Sequence, residues 1–236
     1  GLSRFCLVFF DTEIWRGQFV GSPRIFRFDI IEKNRGTSIP NSVVSNGILT
    51  CYINEEGFFA TDGNSSVPIG AGQIDQWFSD NYDPNYAHRV SSSYDPLNKL
   101  FAWSFPSVDA TGGTPDKILF WSPIYKKWSH VDVAHESLVI SLTQGYTLDE
   151  LDAVGTDIDN ATVFPVSFDS RLWMGGLLRF GAFDTSHKLA QFTGATLEAT
   201  IDTSVFQPNG MGLTDVTGIF PLVSGSTSVT QKLAAA

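Results

Sequence analysis

Carboxylates are the residues of this chain that could most readily do chemistry. There are 25 Asp and Glu against 15 Lys and Arg, a net charge of −10 over 236 residues. Their distribution is uneven. No Lys or Arg occurs between Lys127 and Arg171, while Asp132, Glu136, Asp149, Glu150, Asp152, Asp157, Asp159 and Asp169 all fall there. Such a stretch reads first as a solvated acidic face. It could also wall a channel that phosphate must pass without sticking, and Asp149, Glu150, Asp152, Asp157 and Asp159 are the candidates for that wall. Positive charge drives binding to phosphate backbones, so ordinary nucleic-acid binding is disfavoured.

Catalytic arrangements are hard to find. A glycosidase needs two carboxylates about 5 to 9.5 Å apart. Asp95, Asp169 and Asp184 each follow an apolar or aromatic residue near an expected strand end, where a turn or cap role is simpler. The box Ser-x-Asp-x-Gly-x-x-Trp of propeller sialidases is absent. His88, His130, His135 and His187 do not stand at metal-ligand spacing with another His or Cys, which argues against zinc. Asp157-Ile158-Asp159-Asn160 offers oxygens in a loop, but the closing Glu of a calcium loop is missing. No Gly-x-Ser-x-Gly elbow or P-loop is present. Gly70-Ala71-Gly72 reads as a strand-to-helix turn. The reading is therefore not an enzyme, with no catalytic residue, metal or cofactor assigned.

The elements that would position any site are short strands. Composition is 42% hydrophobic and 13% aromatic, with 21 Gly and 11 Pro spread along the chain. That profile suits many short strands separated by turns and can bury a core. Leu7 to Val20 reads as a hairpin turning near Asp11-Thr12. Ile25 to Ile30 alternates apolar and charged residues. Ile48 to Ile53 and Phe58 to Thr61 flank Asn54-Glu55-Glu56-Gly57, a hairpin signal. Residues 73–80 are expected to form a short helix with Ile74, Trp77 and Phe78 on one face. Strands are expected at 89–93, 99–105, 118–121, 128–133 and 136–142, with a loop over 106–116. Thr147 to Leu151 is expected to form one helical turn. Further strands are expected near 172–180, 188–192, 196–201 and 216–222.

These hairpins recur every few tens of residues, each with an aromatic near its end. The expected fold class is all-β, a β-propeller or part of one, with a β-sandwich as the alternative and one or two short helical turns. Trp103, Trp121, Trp128 and Trp173 are expected to pack between sheets. Cys6 and Cys51 are expected to be two buried free thiols. No apolar run approaches the roughly 20 residues of a membrane helix. Residues 1–231 are read as a single all-β domain, and Lys232-Leu233-Ala234-Ala235-Ala236 as an expression-vector scar. With no Met before Gly1, the chain is expected to be a piece of a longer polypeptide.

Five segments occur in an order that resembles one known family. They are IWRGQFVGSPRIFRFDIIEKNRGTSIPNSVV, CYINEEGFFATDGNSSVPIGAGQIDQWF, SSSYDPLNKLFAWSFP, KILFWSPIYKKWSHVD and FDSRLWMGGLLRFGAFDTSHKLAQFTG. Together they resemble the phage tail-nozzle or packaged-DNA-stabilisation proteins of the head-tail connector, from about Leu7 to Leu222. The resemblance implies a β-propeller and a homo-hexameric ring in the virion, assembled in the host cytoplasm. It further implies contacts with portal and adaptor proteins and with tail fibres or a needle, passage of DNA without sequence-specific binding, and no membrane insertion. Members of the family are longer on the N-terminal side, so this chain is expected to be a C-terminal portion. The acidic residues 149–159 then become the lumen or gate, and loops 106–116 and 144–160 the contact segments. A carbohydrate-binding tail module using Trp15, Trp77 or Trp173 is the alternative reading, and a glycan-cleaving propeller enzyme stands behind it.

Overall fold

The computed structural model describes residues 5–142, 169, 176 and 178–192. They belong to the first of the two units into which the chain divides, Gly1–Gly194 and Ala195–Ala236. Among the described residues the structure is mostly β, four small antiparallel sheets with one short α-helix.

The first sheet is β1 (Phe5–Phe9), β2 (Glu13–Phe19) and β3 (Phe26–Lys33), paired in that order. The second runs β4 (Val44–Ser45), β5 (Thr50–Asn54), β6 (Gly57–Thr61) and β7 (Ser66–Pro68), each strand beside the next. Helix α1 (Asp75–Asn81) and a 3-10 segment (Pro84–Arg89) lead to the third sheet. That sheet is again a meander, of β8 (Ser91–Asp95), β9 (Leu100–Phe105), β10 (Lys117–Ser122) and β11 (Lys127–Asp132). The fourth holds β12 (Ser137–Leu142), β13 (Leu178–Phe183) and β14 (Leu189–Gln191). Each sheet is an open row of neighbours.

Turn chemistry sets these strands. Between β5 and β6, Asn54 Oδ1 accepts from the Glu56 N–H at 2.7 Å, and Gly57 follows at φ +127°. Only glycine adopts that backbone cheaply. A Cβ there would also strike the carboxyl of Asp75, which accepts from the Phe58 N–H at 3.1 Å. The two hairpins of the third sheet share a pattern, Asp95-Pro96-Leu97-Asn98-Lys99 and Ser122-Pro123-Ile124-Tyr125-Lys126. In both, the lysine closes the turn with positive φ. Asp95 is buried and accepts from the Leu97 and Asn98 N–H groups. The expected strand over 89–93 begins later, because Asp83 accepts from Asn85 N–H and starts a 3-10 segment that runs to Arg89.

The core lies between the second and third sheets. Phe58, Phe78, Phe101, Trp103, Phe105 and Trp121 are buried there in one cluster. The Phe58 ring sits 4.9 Å from Phe78, 5.1 Å from Trp103 and 4.8 Å from Trp128, centroid to centroid. Each such ring contributes about 1.5–3 kcal/mol by leaving water. Both indoles that cross this interface satisfy their N–H: Trp103 donates to Ser42 O at 2.8 Å and Trp128 to Ile69 O at 3.0 Å. The expectation that tryptophans pack between sheets holds for these two and for Trp121, buried in the same cluster; Trp173 lies outside the described residues.

The first sheet packs on the second through a smaller cluster, Ile14, Tyr52 and Phe59, with Phe9, Ile31 and Val43 at its margin. Polar ties reinforce it. Arg16 donates to Gly63 O and Asn64 Oδ1, and Glu32 Oε1 accepts from the Ser66 N–H at 2.6 Å. The third and fourth sheets meet at Phe120 and Phe180, with ring centroids 5.7 Å apart. Sheets thus pack one on the next in chain order. Their opening strands also meet, for β8 touches both β4 and β12. Ser92 Oγ donates to Asn41 O just ahead of β4, and Leu138 N–H donates to Ser91 Oγ.

One expectation is corrected. Cys51 is buried on β5, but Cys6 is exposed on β1. Its partner in the ladder is Gly17, which has no side chain to cover the sulfur. Both thiols are free.

Candidate functional site

An open cleft of ≈ 360 Å³ lies where β8 and β12 begin. Three segments far apart in sequence build it: Asn41, the run His88–Ser91, and Glu136–Ser137, with Thr114, Pro115 and Thr185 at its border. Its cation is held from behind. Arg89 Nη1 donates to Gly113 O at 3.3 Å. Gly113 has φ +69°, and a Cβ there would enter the Tyr86 ring. Asn41 Nδ2 reaches His88 O at 3.5 Å, closing the cleft on the side of the second sheet.

Its anion is Glu136. The Glu136 N–H donates to Phe183 O at 2.8 Å, and its carboxylate meets His187 Nδ1 at 2.7 Å. That hydrogen bond raises the pKa of His187 above its ordinary value. His187 itself takes a positive φ at the β13–β14 turn, where Asp184 accepts from the Ser186 and Lys188 N–H groups.

Next to Glu136 in the chain, His135 forms a buried Ser–His pair with Ser104. The His135 N–H donates to Pro115 O at 2.9 Å, and its Nδ1 lies 2.7 Å from Val133 O. A carbonyl can only accept, so Nδ1 carries the proton. Neutral Nε2 then accepts from Ser104 Oγ at 2.5 Å. Burial holds the His135 pKa down. Serine beside an imidazole is the start of a nucleophile. Here both residues are buried, and Nδ1 faces a carbonyl where a triad would place a carboxylate. The neighbouring Asp116 carboxylate is taken up by the Ser107 N–H and Oγ, both at 2.7 Å. The pair clamps the 133–136 connection onto the third sheet.

The cleft therefore offers one guanidinium, one carboxylate, an amide and several hydroxyls. It can hydrogen-bond a polar ligand. Among the described residues its lining includes a single carboxylate, Glu136, where a glycosidase pair needs two. Among the described residues, no three His, Cys, Asp or Glu side chains gather as a metal site, and no helix is long and apolar enough to cross a membrane.

The acidic lumen candidates Asp149, Glu150, Asp152, Asp157 and Asp159 lie outside the described residues, as does Thr147 to Leu151. Of the same acidic run, Asp132 sits on edge strand β11, 3.1 Å from Lys117 Nζ, and Asp169 lies in an exposed turn. Asp95 and Asp184 are turn residues, as expected. Gly70 is a turn as well, its carbonyl accepting from the Gln73 and Ile74 N–H groups. Trp15 donates to Glu13 Oε2 at 2.9 Å. Trp77 lies against His130, with Lys117 over its ring, so that indole offers no bare stacking platform. Sequence reasoning missed the cleft and the Ser104–His135 pair. The one available signal was the shared Pro-x-x-Lys turn, which marks the third sheet as two like hairpins. No protein-family model and no curated protein matches the chain.

Proposed function

We propose that this chain is a structural component of a bacteriophage tail, a sector of a β-propeller within the nozzle or hub through which DNA is retained and released. The observation that carries the reading is the arrangement of successive sheets. Two complete four-stranded meanders follow one another, each sheet packs on the next, and the opening strands β4, β8 and β12 meet. Propeller blades have this connectivity, with first strands grouped about an axis. The order of aromatic and turn segments, which resembles the nozzle family, adds the tail assignment. Rigid modules of this kind suit head-to-tail rings. The acidic stretch 149–159 would then repel phosphate in the lumen.

The test is the absolute mass of the protein by light scattering, with electron images of the same peak, alone and with portal and adaptor proteins. Rings of six support the reading. A chain that forms no ring and binds neither partner overturns it. Neutralising Asp149, Glu150, Asp152, Asp157 and Asp159 together is expected to slow DNA release, and normal ejection would remove the lumen assignment. The cleft beside Arg89 and Glu136 favours a second reading, recognition of a host glycan, which an array of glycans would detect.

A further inference from the structure

The outer side of the first sheet is an uncovered apolar face. Strand alternation places Trp15, Gly17 and Phe19 of β2 on one side, opposite Ile30, Phe28 and Phe26 of β3. Cys6 and Val8 of β1 join them through their pairing with Gly17 and Trp15. Contact confirms the grouping. A Cβ on Gly17 would meet both Cys6 Sγ and the Phe28 ring at 2.7 Å, and the Phe19 and Phe26 rings lie 5.8 Å apart. The other side of the sheet carries Ile14 and packs on the second sheet. Yet Phe19 is 64% exposed, Phe26 59%, Phe28 55% and Ile30 38%.

We infer that this face is an interface between two copies of the chain, packed sheet to sheet. Charge points to a like partner. The chain carries −10, but none of these eight positions is charged, and Glu13 and Lys33, opposite in sign, stand across from each other at one end of the ladder. Two copies can therefore meet here without burying like charges, and an apolar centre with a polar margin is the usual anatomy of an interface. Area points the same way. Aromatic side chains cover roughly 150–250 Å² each, so three phenylalanines at these exposures leave on the order of 350 Å² bare. With Ile30, Cys6 and the flanking residues the face reaches roughly 500 Å², at the upper end of what a lone monomer shows. Two copies cover about 1,000 Å² in total, the size at which specific interfaces begin.

The inference is independent of the tail reading. Its test is a concentration series by sedimentation velocity on the full chain. A two-chain species is expected, and Phe28→Lys or Phe26→Lys is expected to reduce it to one chain with an unchanged circular dichroism spectrum. Both side chains are more than half exposed, so the fold does not need them. Alkylation of Cys6 reads the same event without mutation: it slows several-fold as concentration rises. A mass that stays at one chain, or a Cys6 rate independent of concentration, overturns the inference. Six-fold rings that persist in Phe28→Lys would keep the nozzle reading and overturn this one.

Discussion

The interface between the second and third sheets and the outer side of the first sheet are made of the same materials. Both are Phe and Trp on alternating strand positions. In one, Phe58 and Trp103 are fully covered, and the Trp103 and Trp128 N–H groups each find a carbonyl. In the other, three phenylalanines stand in water. Residue type alone does not distinguish a core from a docking face; what decides is whether a second sheet lies opposite.

This comparison can be broken most sharply at Trp103. Trp103→Ala removes the largest buried side chain and leaves Ser42 O without its donor, so a loss of about 3–5 kcal/mol is expected in urea unfolding. The matching change on the outer face, Phe28→Ala, is expected to move the midpoint of a dilute sample little. Arg16→Ala comes next. It removes two ties from the first sheet to the β6–β7 turn, at a cost of about 1–3 kcal/mol. Hydrogen exchange should localise that loss to residues 5–33 while the second and third sheets stay protected.

A pH titration sharpens the comparison at the fourth sheet. His135 is buried and neutral, with its folded pKa below the ordinary value of 6.5. Stability linked to it is complete above 6.5 and falls as the pH drops toward the folded pKa, because only the unfolded chain takes up the proton. His187 has the opposite sign. Its pKa is raised by Glu136, so its contribution is complete below 6.5 and is lost as pH rises through the folded value. Thermal melts between pH 5 and 8 are expected to flatten on the acid side in His135→Gln. The smallest effect is expected at Lys117 and Asp132, where a double-mutant cycle should return less than about 1 kcal/mol.

The local structure was largely legible. Turn residues mark the β5–β6 and β10–β11 hairpins, and the spacing of Ile74, Trp77 and Phe78 marks α1, whose buried side is Ile74 and Phe78. These signals are local, and the physics that reads them is local too. Strand propensity predicts a start at Arg89, but the cap at Asp83 competes with it and the strand begins at Ser91. The apolar neighbours of Cys6 predict burial, but they say nothing about the glycine across the ladder. The cleft was not legible at all. It joins Asn41, Arg89, Glu136 and Thr185, whose proximity depends on how three sheets stack rather than on any spacing.

Cys51 is buried on β5 with nothing but apolar surroundings to stabilise a thiolate, and burial pushes its thiol well above the ordinary range. It therefore stays chemically silent while the second sheet is closed. Once Cys6 has been capped, a maleimide added afterwards becomes a clock: it ticks only when β5 separates from its neighbours, and its rate against temperature measures how often the centre of the protein opens.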